Sequence, residues 1–220
     1  MKRNQSGFTL IEIAIVLVII GLLLGGVLKG QELINSAKVK NLATDFKNVP
    51  VFIYGYQDKF KALPGDDANV ATHVTGGTVC TPAAANLCAT SNGIIDGAWD
   101  AAAITSESFV FWQHVRLANL APGPTSVADA DYIPKNAVGG AIGVTNSGAN
   151  SPITTPALKG SYIVCSGSIA GKFAKQLDTT LDDSNTATGS MMVLNPAVAV
   201  TAIATASIVD DTTYTVCMGF

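Results

Sequence analysis

Phe8-Thr9-Leu10-Ile11-Glu12-Ile13-Ala14-Ile15-Val16-Leu17-Val18-Ile19-Ile20-Gly21-Leu22-Leu23-Leu24-Gly25-Gly26-Val27-Leu28 is an apolar block with one ionisable group, Glu12. A polar leader, Met1-Lys2-Arg3-Asn4-Gln5-Ser6-Gly7, runs straight into it. A secretory signal peptide has its small-residue cleavage site after such a block. Here Lys29, Gly30, Gln31 and Glu32 follow, and the small-residue junction lies before the block, at Gly7–Phe8. The block is therefore read as retained, and the chain as starting in a membrane.

The energetics favour insertion. Ile13 to Leu28 holds twelve Ile, Leu or Val residues. At roughly −0.3 to −0.6 kcal/mol each, these contribute about −4 to −7 kcal/mol. Glu12 would cost roughly 2.5–3.5 kcal/mol at mid-bilayer, and less near the edge where it sits. As a helix, residues 8–28 span about 31 Å, the thickness of a hydrocarbon core. Lys2 and Arg3 lie on the short side, so the positive-inside bias leaves the leader cytoplasmic and exports everything after Lys29.

Gly7-Phe8-Thr9-Leu10-Ile11-Glu12 resembles the signal of type IV prepilins and type II secretion pseudopilins: Gly before the cut, an aromatic after it, and Glu as the fifth residue beyond. The resemblance is strongest over about residues 1–65; farther on, Ala62-Leu63-Pro64-Gly65-Asp66 resembles segments of large pseudopilin-like proteins. It implies that a membrane-embedded prepilin peptidase cuts after Gly7 and methylates the new terminus at Phe8. For Glu12 it implies pairing with the free amine of Phe8 on a neighbouring subunit, which sets the register of helices that otherwise slide. Opposite charges attract strongly in low dielectric, and pairing removes the cost of burying either alone. The plainer reading of Glu12 is a tolerated polar residue near the membrane interface. Gly21 with Gly25 and Gly26 with Gly30 form small-xxx-small pairs, which let helix backbones approach closely. The alternative for these glycines is helix weakening without a packing role.

Charge divides unevenly along the chain. Lys29 to Lys61 is net +3, whereas Ala62 to Phe220 is net −7 and rich in Ala, Thr and Ser. An acidic domain lacks the Lys and Arg that phosphate contacts need, so nucleic acid is not an expected partner. Cys80, Cys88, Cys165 and Cys217 lie on the exported side, where an even count favours disulfides and leaves three connectivities open. Cys80 and Cys88 flank a Pro/Ala-rich loop; Cys165 and Cys217 each follow a strand-like run. The favoured pairs are Cys80–Cys88 and Cys165–Cys217. A four-cysteine zinc site is the rival, but the spacings do not match paired knuckles.

Leu42, Phe46, Val49, Ile53, Tyr56, Phe60 and Leu63 recur every three or four residues, so one helix is expected from about Phe8 to Leu63. Pro50 predicts a kink and Pro64-Gly65 the end. The expected organisation is a leader at 1–7, a membrane or filament-core helix at 8–28, an amphipathic half at 29–63, and an exported globular domain at 64–220. Residues 64–104 read as loop. Ser106–Leu120 reads as a one-sided helix capped by Ser106. Strands are expected at Gly139–Thr145 and Ser161–Cys165, a second short helix from Ile169 to Leu181, and three or four strands between Ser190 and Met218. The fold class is α+β: a long helix, its second half packed on a C-terminal antiparallel sheet with short helices.

Little points to catalysis. His73 and His114 are far apart in sequence, and no H-E-x-x-H or G-x-S-x-G occurs. Gly139-Gly140-Ala141-Ile142-Gly143 lacks the Rossmann spacing and reads as a glycine-rich strand or turn. Asp66-Asp67, and Asp182-Asp183 with Asp178, offer hard oxygens for calcium. No D-x-D-x-D-G loop is present and Asp is common in turns, so turn chemistry is the favoured reading and calcium stays open. No other metal or cofactor is expected.

The resemblance thus implies a pilus or pseudopilus subunit rather than an enzyme. Its partners would be homologous subunits, prepilin peptidase, an inner-membrane assembly platform, and lipid before assembly. It would start as a single-pass inner-membrane protein and end in an extracellular or periplasmic filament. The alternatives are a minor pilin at a filament tip, or an uncleaved single-span protein whose exported domain binds a ligand or hydrolyses a polymer.

Overall fold

The computed structural model describes residues 9–81, 87–89, 91–195 and 198–220. The chain divides into two units, Met1–Lys38 and Val39–Phe220. Helix α1, Leu10–Phe60, begins in the first and ends in the second. Its character changes at the boundary. The apolar side chains from Leu10 to Leu28 are exposed, whereas Val39, Leu42, Ala43, Phe46, Val49, Pro50, Ile53 and Tyr56 are buried at successive steps of three or one. That spacing places one face of the helix against the domain core, where full burial of a large apolar side chain is worth about 1.5–3 kcal/mol. The helix is continuous through Pro50, and it ends at Phe60 rather than Leu63.

The second unit continues with α2 (Val70–His73), α3 (Glu107–Leu117), β1 (Ile142–Asn146), β2 (Ile153–Thr155), β3 (Tyr162–Ala170), α4 (Gly171–Leu181), β4 (Met191–Asn195), β5 (Val198–Ala202), a 3-10 turn at Thr205–Ser207, and β6 (Thr213–Gly219). The six strands form one sheet in the order β1-β3-β6-β4-β5-β2. An all-antiparallel sheet was expected, and this is corrected: β2 lies parallel to β5, making the sheet mixed. β2 sits at the edge opposite β1, its neighbour in sequence, so no hairpin constrains its direction.

Both faces of the central strands are buried. On one face Tyr162, Val164, Met191, Val193, Tyr214 and Val216 join the core formed with α1, α3 and α4. On the other, Ile163, Cys165, Met192, Leu194 and Cys217 pack with Ile153 and Leu158. This is why the runs Tyr162–Cys165 and Met191–Leu194 show no polar alternation.

α3 also departs from its expected one-sided form, because Glu107 to Arg116 are all buried. Two loops enclose it. The 95–108 segment covers its start: Ser108 Oγ donates to the Ala98 carbonyl at 2.7 Å. The segment after its end is held by Arg116, whose guanidinium donates to the carbonyls of Pro122, Pro124 and Tyr132. Ser106 precedes the helix but makes no side-chain cap; its hydroxyl reaches the Asp96 carbonyl and Ser108 Oγ instead.

Candidate assembly helix

In the first unit the apolar composition of α1 meets no protein core. Eighteen consecutive residues reach a mean hydropathy of 2.8 with none of them buried. The helix is long and apolar enough to cross a bilayer.

Its start is built by a reciprocal pair that sequence reading passed over. The Glu12 carboxylate accepts the Thr9 amide at 2.8 Å and the Thr9 hydroxyl at 2.6 Å. The Glu12 amide in turn donates to Thr9 Oγ1 at 3.4 Å. This is the capping box, for which Thr9-Leu10-Ile11-Glu12 is the sequence signature. Glu12 thus supports its own helix terminus, a task distinct from any charge pairing with another chain. Gly7 and Phe8, the expected cleavage and methylation positions, lie outside the described residues.

Gly21, Gly25, Gly26 and Gly30 are helical, and a methyl group built on any of them would meet nothing within 4 Å. Among the described residues, no contact therefore requires glycine at these positions. They form flat places on an exposed apolar surface, where a second helix can approach closely.

The other candidate residues lie in the second unit. Cys80 is bonded to Cys88, and Cys165 to Cys217. Cys165 and Cys217 are directly opposed on neighbouring strands β3 and β6, with Cα atoms 4.1 Å apart. Asp66 and Asp67 are buried and engaged. The Asp66 carboxylate accepts the amides of Asn92 and Gly93 at 3.1 and 2.7 Å. Asp67 accepts the Tyr56 hydroxyl at 2.8 Å and the Asn69 amide at 2.9 Å, and bonds His73 Nδ1 at 2.6 Å. Burial alone would raise the Asp67 carboxyl, but its bonds to His73, Tyr56 and Asn69 hold it below the ordinary range. His73 also stacks on Phe60, with ring centres 5.2 Å apart. His114 lies inside α3, fully buried. In the glycine run, a methyl on Gly140 would strike the Gly167 carbonyl and one on Gly143 the Trp99 carbonyl, so these glycines serve close packing around β1.

A family model described as the prokaryotic N-terminal methylation motif matches residues 2–28. That motif is the hallmark of type IV pilins and pseudopilins, and this chain carries it. No curated protein and no solved structure matches the chain.

Proposed function

We propose that the chain is a structural subunit of a type IV pilus-like or type II secretion pseudopilus filament. Prepilin peptidase cuts it after Gly7 and methylates Phe8, and it assembles through the N-terminal half of α1. The observation that carries this reading is the methylation motif at residues 2–28, set on the start of a helix whose apolar residues from Leu10 to Leu28 are exposed. Before assembly that surface is covered by lipid, and afterwards by the same segment of neighbouring subunits. The leader is cytoplasmic and the second unit is exported, in keeping with its two disulfides. The chain works by assembly rather than catalysis and needs no cofactor for it.

N-terminal mass analysis of the native protein tests this directly. The mature chain should begin at methylated Phe8 and be recovered in sheared filaments or in the inner-membrane fraction. A mature chain that starts at Met1, or beyond Leu28, overturns the proposal.

A further inference from the structure

Asn92-Gly93 is a dipeptide whose own backbone can attack its side chain. The Gly93 amide nitrogen loses its proton to water and attacks Asn92 Cγ. The new C–N bond closes a cyclic imide, the Cγ–Nδ2 bond breaks, and the nitrogen leaves as ammonia. Water then opens the imide to aspartate or isoaspartate. The net change is amide plus water to acid plus ammonia. Glycine favours the attack because no side chain crowds its nitrogen. Here both residues are exposed, and a methyl built on Gly93 would meet nothing within 4 Å. Neither burial nor crowding shields the pair.

Hydrogen bonds engage each group that must react. The Gly93 amide donates to Asp66 Oδ2 at 2.7 Å, and the Asn92 amide to Asp66 Oδ1 at 3.1 Å. Asn92 Nδ2, the leaving nitrogen, donates to Asp96 Oδ2 at 2.9 Å. Asn92 Oδ1 accepts the Ile94 amide at 3.0 Å. The two carboxylates are anchored in the domain rather than at its surface: Asp66 is 4% exposed and Asp96 5%. Asp96 is held in turn by Asn146 Nδ2, at 3.1 Å from its Oδ1.

We propose that Asn92 is a deamidation site held latent by Asp66 and Asp96. Both Asp66 oxygens accept amide protons, the bonding of an ionised carboxylate. A deprotonated Gly93 nitrogen would face that carboxylate as a like charge at hydrogen-bond distance, which opposes the first step. Asp96 and the Ile94 amide fix both ends of the carboxamide, so Cγ cannot turn toward the nitrogen without breaking two hydrogen bonds. Conversion would be one-way. It sets a new carboxylate at position 92 beside those of Asp66 and Asp96, and like-charge repulsion then loosens the turn. That change reaches α3, because the Asp96 amide donates to Glu107 Oε2.

The test incubates the full-length chain in detergent at neutral and mildly alkaline pH. Peptide mass mapping and isoaspartate labelling follow position 92, and circular dichroism follows folding. Asn92 in the folded wild type should convert at least tenfold more slowly than in the same chain held in denaturant. Asp66→Asn leaves one uncharged oxygen for two amides and should speed conversion at least fivefold in the folded chain. Asp96→Asn, which alters only the hold on Nδ2, is the second variant and should also speed it. Asp67→Asn disturbs the same turn through Tyr56, Asn69 and His73 but leaves every bond at Asn92 and Gly93 in place, so its rate should stay near wild type. Equal rates in folded and denatured wild type overturn the proposal. So do wild-type rates in the folded Asp66 and Asp96 variants, or equal acceleration by Asp67→Asn, which would assign the effect to a loosened fold.

Discussion

His114 Nδ1 accepts the amide proton of Gly65 at 2.9 Å, joining segments 49 residues apart. The other ring nitrogen, Nε2, donates to the Thr78 carbonyl at 2.9 Å. Together the two bonds define a neutral tautomer with its proton on Nε2. Gly65 can approach because it has no side chain: its φ is +96°, and a methyl there would stand 2.7 Å from the Glu107 carbonyl. The Leu63–Asp67 turn that ends α1 is thereby fastened to α3, and Asp67 fastens it again to Tyr56 on α1.

Replacing His114 with Ala leaves the buried Gly65 amide and the half-buried Thr78 carbonyl without this partner. Each such loss costs about 1–3 kcal/mol, so a clear drop in Tm is expected. Burial holds the folded pKa of His114 below its ordinary 6.5, while the Thr78 bond and the Asp67 charge act the other way. The unfolded chain therefore takes up the proton first as pH falls. The contribution of His114 is complete above about 6.5 and is lost as pH drops from there through the lowered folded value. Thermal melts from pH 7.5 to 5 should show less acid-side loss in His114→Ala than in wild type.

Glu107 has the opposite sign. Burial pushes its carboxyl up to about 8, and the charges of Asp66 and Asp96 add to this against the amides of Asp96 and Ala89. As pH rises, the unfolded chain loses this proton first. Stability from Glu107 is thus greatest below about 4.5 and is lost as pH climbs through 8. Glu107→Gln keeps an oxygen for the Asp96 amide, which donates to Glu107 at 2.8 Å. It should melt above wild type at pH 8 and converge with it near pH 4.5. Parallel curves would show that Glu107 is ionised in the fold.

The two disulfides should differ in weight. Cys165–Cys217 spans a sequence separation of 52 and Cys80–Cys88 one of 8. Chain entropy values these closures at about 4 and about 2.6 kcal/mol. Cys217→Ser should therefore lower stability and protease resistance more than Cys88→Ser, as pulse proteolysis would measure. An equal or reversed order would mean that local packing outweighs loop closure.

Glu12 has a cap to lose as well as a charge, and Glu12→Gln separates the two. Gln retains the capping box with Thr9, because either residue serves at that position. If charge pairing sets filament register, Glu12→Gln should reach normal membrane abundance yet yield few filaments. Normal filament yield from Glu12→Gln, with loss in Glu12→Leu, would assign the role to the cap.

Deleting Met1 to Lys38 removes the first unit and leaves every buried position of α1 in place. The product should be soluble, folded and largely monomeric, as sedimentation and circular dichroism would show. Deleting through Leu63 removes Leu42, Phe46, Val49, Ile53 and Tyr56 from the core and should cause aggregation.

Local patterns carried much of this protein. The apolar block, the methylation motif and the three-four spacing from Leu42 to Tyr56 depend on residues close in sequence, and each is legible without the fold. The strand-like runs before Cys165 and Cys217 likewise marked β3 and β6, the strands those cysteines bridge. Thr9 was missed although its signature was present, because the run was read for hydropathy and cleavage and not for its helix start.

What the tertiary structure decided are the partners of polar groups. Nothing near Asp66 in sequence announces the Asn92 and Gly93 amides, and nothing near His114 announces Gly65. The α3 residues Glu107, His114 and Arg116 sit at positions that a lone helix would offer to water; they are buried because the segments flanking the helix close over Glu107 and Arg116, and the distant Gly65 and Thr78 close on His114. β2 carries no strand expectation in the sequence and exists only through its pairing with β5 at the far edge of the sheet. Hydropathy and helical period are properties of neighbouring residues, whereas a buried hydrogen bond exists only where the fold brings donor and acceptor together. The sequence therefore determined the membrane helix and its continuation, and the fold alone determined which charges are held and which are neutralised.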